Sequence, residues 1–192
     1  MKKNKINVIM SVALLAFYIV TYIIDMYTFK IITINSLILN VLALTAFLIF
    51  LRKIPPVYYQ SLVWFTFCAE FLGAGLGLYT VIPIFDLILH SLSGVLLVFA
   101  GHYIVQEVIA KKSGESPSIA LACFCSFTTA VAGAAVWEIW EYSGDVLLKL
   151  NSQGGSIHDT MQDIIAGTIG ALVGVTILYF VKKNGKLQKI KS

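Results

Sequence analysis

Asp86 and His90 stand four residues apart, Glu138 and Glu141 three apart with Asp145 four further on, and Asp159 and Asp163 again four apart. On a helix each of these spacings stacks its members on one face, where carboxylates and an imidazole can aim at a common point. Oxygen ligands with one or two imidazoles suit magnesium, manganese or zinc. A divalent cation held by some of His90, Glu138, Glu141 and Asp163 would activate a bound water against an ester or phosphoester, with Glu141 or Asp86 as the proton acceptor. Glu70, Asp145, His158 and Asp159 complete the set of candidate polar residues.

Each of these residues also has a plainer reading. Asp86 follows Pro83 closely, so it falls in the first turn of the expected helix, where a carboxylate complements the helix dipole. Thr160-x-x-Asp163 approximates a capping box, although Glu or Gln is the usual partner. Glu138, Glu141 and Asp145 are harder to explain away. They fall near the expected C-terminal end of a helix, where the dipole disfavours negative charge and carboxylates one turn apart repel. A proton, His90, a cation or exposure to outer water must offset that cost. Glu70 lies deep in an apolar run, where an ionised carboxylate costs about 2.5 to 3.5 kcal/mol and calls for a partner, a proton or a wet cavity. His102 reads as a packing residue. Gly73-x-Gly75-x-Gly77 reads as close helix packing or a local break, since a phosphate loop needs a following helix N-terminus and basic residues. Neither His-Glu-x-x-His nor Gly-x-Ser-x-Gly occurs.

The elements that must position these side chains are long apolar helices. Of 192 residues, 58% are hydrophobic and 12% charged, about half the charged share of a soluble domain. Lipid is therefore the solvent for most of the chain. Six runs of about 20 residues, each long enough to span a bilayer, are expected over 7–26, 31–51, 58–79, 84–105, 118–141 and 161–181. Together they form an all-α polytopic membrane helix bundle that consumes 1–192 as one transmembrane domain. The first run follows Lys2, Lys3 and Lys5 but lacks a clear small-residue cleavage site, so it reads as a retained helix. Pro55-Pro56 closes the second run.

Twelve of the fourteen lysines and arginines fall at the N-terminus, the second and fourth loops and the C-terminal tail. The positive-inside rule then puts both termini in the cytoplasm. Eight of the ten acids, with His90 and His158, fall toward the outside, and no topology rule demands that. The net charge of +4 comes from lysines clustered between apolar runs, which argues for membrane orientation and against nucleic acid. Cys68, Cys123 and Cys125 lie inside apolar segments and read as packing thiols.

The stretch from Glu70 to Gly94, Trp137-Glu138-Ile139-Trp140-Glu141, and His158-Asp159-Thr160-Met161-Gln162-Asp163 together resemble the YjdF-like (DUF2238-type) family of uncharacterised bacterial inner-membrane proteins. The resemblance covers roughly Glu70 to Gly174. Tyr79-Thr80 and Pro83 match its pattern, while the family's longer tryptophan-containing loop before the last helix is shortened here. The last helix, with Asp163, Gly167 and Gly170, is also similar to VanZ-like proteins linked to glycopeptide resistance, without the arginine expected in the preceding loop. The resemblance implies a multi-pass protein of the bacterial cytoplasmic membrane and brings no mechanism with it.

Three functions stay open on the sequence. One is a metal-dependent hydrolase acting on a lipid or cell-envelope substrate. Another is a proton- or cation-coupled transporter using Glu70 and His90 as a relay. The last is a non-catalytic envelope or resistance protein whose acidic outer face docks a cationic partner.

Overall fold

The computed structural model describes residues 2–32, 34–149, Gln153 and 156–185. The tail lysines Lys186, Lys189 and Lys191 lie outside the described residues. Every regular element among the described residues is helical. Four helical stretches are long and apolar enough to cross a membrane: Lys5–Tyr27, Phe85–Ile109, Ile119–Leu147 and Ile157–Lys183. Ser36–Leu51 is a shorter apolar helix. The chain divides into two compact units, Met1–Leu89 and His90–Ser192.

In the first unit α1 spans Lys2–Tyr27. Helix α2 (Ile34–Ala46) widens into a π-helical turn over Phe47–Leu51. Helix α3 (Pro56–Thr66, 11 residues) continues for 9 more as the π-helical run Phe67–Gly75. The short α4 covers Leu78–Val81. Pro55 and Pro56 thus do more than end α2: Pro55 is the N-cap and Pro56 the first residue of α3, where a missing N–H costs nothing. The glycine stretch after Glu70 combines both expectations for it. Gly73 and Gly75 are buried, and Gly77, past the end of the run, caps α4 at φ 75°, a backbone angle glycine takes without strain.

Lipid tails are as apolar as leucine, so packing and polar contacts must hold the unit together. Tyr18 of α1 stacks on Phe67 and Phe71, with ring centroids 6.1 and 5.3 Å apart. Buried Ser11 and Tyr59 share a hydroxyl hydrogen bond of 2.6 Å. Asn7 Nδ2 donates to the carbonyls of Arg52 and Ile54, both at 3.1 Å. Asp25 has a structural duty: its carboxylate accepts the backbone N–H of Ile32 at 2.7 Å, and its carbonyl accepts those of Thr28 and Lys30. It pins the turn between α1 and α2.

The second unit contains most of α5 (Phe85–Val105), which continues through a π-helical turn, Gln106–Ala110, into α6 (Lys111–Ser113). Helix α7 (Ile119–Leu148) and helix α8 (Ile157–Lys183) follow. Helix α5 starts two residues after Pro83, so the proline precedes the first turn and does not occupy it. Pro117 likewise precedes Ser118, which caps α7 by accepting the N–H of Leu121 at 3.2 Å.

Small residues let these helices touch along their backbones. A Cβ added at Gly94 would lie 2.1 Å from the carbonyl oxygen of Gly167, and one at Gly170 would lie 1.9 Å from that of Ser91. At Gly174 the same atom meets the backbone of Val95 at 3.1 Å. His90 lies by Gly167, Ser91 by Gly170, Gly94 by Ala171 and Val95 by Gly174, so the contacts advance together in number and α5 and α8 run parallel. Gly101 against Thr129 and Gly133 against Leu97 advance oppositely, so α5 and α7 are antiparallel. Alternate crossing of a membrane produces this pairing. Val98, Ala130, Ala171 and Leu178 are buried where the three helices meet.

Candidate metal centre

His90 stands one turn before Gly94 on α5, and Asp163 one turn before Gly167 on α8. The close approach of Gly94 to Gly167 therefore brings the two side chains to the same level. His90 Nε2 lies 3.9 Å from Asp163 Oδ1. On the other edge of the ring, Nδ1 lies 3.8 Å from Glu138 Oε1 of α7. All three residues are buried, at 7%, 2% and 3% exposure for His90, Asp163 and Glu138. The carbonyl of His90 accepts the Ser93 hydroxyl at 2.7 Å.

Asp86 is one turn earlier on the same uninterrupted helix as His90 and is half-buried. Asp86, His90 and Asp163 each offer one ligand atom, and those atoms lie within 4.8 Å of one another. The imidazole separations exceed the 2.7 to 3.2 Å of a hydrogen bond. On the Nε2 edge, 3.9 Å matches two ligands that flank one bound atom, each at about 2.1 Å from it.

The charge balance points the same way. Three carboxylates face one imidazole, and an ionised carboxylate at membrane depth costs about 2.5 to 3.5 kcal/mol. Even a protonated His90 offsets one of the three. A cation among these ligand atoms would offset negative charge that a single imidazole does not.

Two of the other candidate residues have local partners of their own. Glu141 accepts the indole N–H of Trp137 at 2.8 Å in an exposed pair. Asp145 accepts the backbone N–H of Gln153 at 2.9 Å. His158 is exposed and Asp159 half-buried in the first turn of α8. Glu70 is half-buried in the first unit, within the π-helical run after α3. His102 is buried at 5% exposure.

Two of the plainer readings change. Helix α8 begins at Ile157, and its cap is Ser156, whose hydroxyl accepts the His158 N–H at 3.2 Å. Asp163 therefore lies past the first turn, buried, and is no capping residue. Helix α7 extends to Leu148, so Glu138 is well inside it. Burial, and not the end of the helix dipole, is what its charge must overcome.

Gln153 was not legible as part of this region. Its side-chain amide donates to the carbonyl of Glu138 at 3.3 Å while its backbone is held by Asp145, fastening the loop after α7 back onto the helix. A glutamine in a Gly/Ser-rich loop carries no periodicity that would single it out.

The family described as "Predicted membrane protein (DUF2238)" matches residues 6–184. The chain belongs to this family. The match extends well beyond the stretch from Glu70 to Gly174 and takes in both units. A relative from Thermotoga maritima, named "Uncharacterized protein", is 29% identical over 136 residues, covering 70% of this chain and 68% of the relative. No solved structure matches the chain. The chain is therefore a predominantly helical membrane protein of this family, with several apolar helices to lie in a bilayer.

Proposed function

We propose that this is a multi-pass protein of the bacterial cytoplasmic membrane, with both termini inside, that holds a divalent cation in its outer half and uses it to hydrolyse an ester or phosphoester of a lipid or envelope substrate. The observation that carries the reading is the convergence of ligand atoms from Asp86, His90 and Asp163. In this reading His90 Nε2, Asp163 and Asp86 hold the ion. Glu138, 3.8 Å from Nδ1, would close to hydrogen-bond distance when the ion binds and fix the ring and its tautomer, as carboxylates behind metal-bound histidines do. That exchanges the roles that spacing alone gave to Asp86 and Glu138. Manganese, magnesium and zinc all suit two carboxylates with one imidazole. The ion would supply a water ionised near neutral pH.

The test is elemental analysis of purified protein after incubation with each metal, alongside variants. Wild type is expected to carry about one equivalent. His90→Ala and Asp163→Asn should abolish binding, and Glu138→Gln should weaken it about 10- to 100-fold. Wild type without stoichiometric metal under any of these conditions overturns the reading.

Cation-coupled transport is a second reading, favoured by burial. His90 and Asp163 are nearly sealed from the surface, which suits a small ion as cargo better than a lipid head group. Metal-dependent flux in proteoliposomes, abolished in Asp163→Asn, with no ester hydrolysed, would decide for it.

A further inference from the structure

A second polar feature lies in the first unit, away from any acid in sequence. A cleft of about 360 Å³ is lined by Lys5, Val8 and Ile9 of α1 and by Arg52 from the turn after α2. Lys5, Val8 and Ile9 are spaced i, i+3 and i+4, so they share one face of α1. Asn7, fully buried, holds the backbone of Arg52 and Ile54 with its two side-chain hydrogen bonds. The Arg52 backbone is thus fixed beside the first turns of α1. The result is a shallow, open notch lined by two cations and two outward-facing aliphatic side chains, Val8 at 38% and Ile9 at 66% exposure.

Orientation of a membrane protein requires only that lysine and arginine be present near the span ends. It does not require them to share a cleft with an apolar wall. Guanidinium groups engage phosphate oxygens through two parallel hydrogen bonds, and an ammonium adds a point charge. Basic pockets between helices on the cytoplasmic side are where anionic head groups dock. Among the described residues the lining holds no acid, so no carboxylate of theirs competes with a phosphate for the cations.

We propose that Lys5 and Arg52 form a binding site for the phosphodiester of an anionic phospholipid of the cytoplasmic leaflet, with an acyl chain lying along Val8 and Ile9. A zwitterionic lipid brings its own ammonium to the rim and is repelled there. This site is independent of the metal reading and stands or falls without it.

The test is native mass spectrometry of the full chain released from detergent, titrated with phosphatidylglycerol, phosphatidylcholine or inorganic phosphate. Wild type is expected to retain phosphatidylglycerol in preference to phosphatidylcholine, and millimolar phosphate should not displace it. Lys5→Gln/Arg52→Gln should lose about 30-fold in phosphatidylglycerol affinity, roughly fivefold per cation. Lys112→Gln, outside the cleft, should bind as wild type does, and Arg52→Lys should retain part of the affinity. Equal retention of the two lipids by wild type overturns the proposal without any variant being needed. A double variant no weaker than Lys112→Gln, or ready displacement by free phosphate, overturns it as well.

Discussion

Replacing Gly170 by alanine tests the fold and the metal centre together, because it touches no ligand. The new Cβ would stand 1.9 Å from the Ser91 carbonyl oxygen, against 3.4 Å for an ordinary contact. Helices α5 and α8 must therefore part by about 1.5 Å, since backbone on one side leaves no side chain to rotate away. Overpacking costs about 1 to 3 kcal/mol, and a clash with backbone belongs at the upper end. At about 2 to 4 °C per kcal/mol for a chain of this size, Tm should fall by several degrees. The same movement would carry His90 Nε2 and Asp163 Oδ1 from 3.9 Å to beyond about 5 Å, more than two ligands at about 2.1 Å from one ion can span. Thermal unfolding in detergent and metal titration of the same samples measure both effects. Ile169→Ala, at an outward-facing position, is the control and should leave metal binding unchanged. A Gly170→Ala protein with wild-type Tm and wild-type metal content would refute the direct backbone contact and the register built on it.

Two further outcomes concern stability alone. Tyr59→Phe removes one partner of the buried 2.6 Å hydrogen bond to Ser11 and should cost about 1 to 3 kcal/mol. The double variant with Ser11→Ala should cost less than the sum of the single changes, and a thermal double-mutant cycle checks this. Lys149 caps α7 in the left-handed conformation at φ 57°, which costs a side-chain-bearing residue roughly 1 to 2 kcal/mol. Lys149→Gly should raise Tm by a few degrees, and an unchanged or lower Tm would show that the lysine side chain stabilises this position by some other contact.

The helices were legible because hydropathy, prolines and lysines all act locally. Pro55-Pro56 follows the end of the second run, as expected, for a reason a single residue carries. The ends were less legible where helix continues past the apolar run. Tyr142, Ser143, Gly144 and Asp145 look like a loop by polarity, yet all four are in α7, because nothing in that stretch breaks backbone hydrogen bonding. Within the site, the Asp86 and His90 pair follows from a spacing of four on one helix. The meeting of His90 with Asp163 does not follow from any spacing. It depends on the parallel register of α5 against α8, which the glycines permit but do not number. Glu138 and Glu141 show the same limit: three apart in the motif, one is buried beside the imidazole and the other is half-buried and bonded to Trp137.

The wide turns at Phe47–Leu51, Phe67–Gly75 and Gln106–Ala110 bear on how this chain can change length. A π turn arises where a helix accommodates surplus residues. Losing one residue from an ordinary α-helix rotates everything beyond it by about 100°, which in a spanning segment turns buried faces toward lipid. At these three places the loss can be absorbed as the loop of backbone tightens to α. Insertions and deletions tolerated inside membrane helices of this family should therefore concentrate there, and a one-residue deletion near Glu70 should be milder than the same deletion beside Gly94.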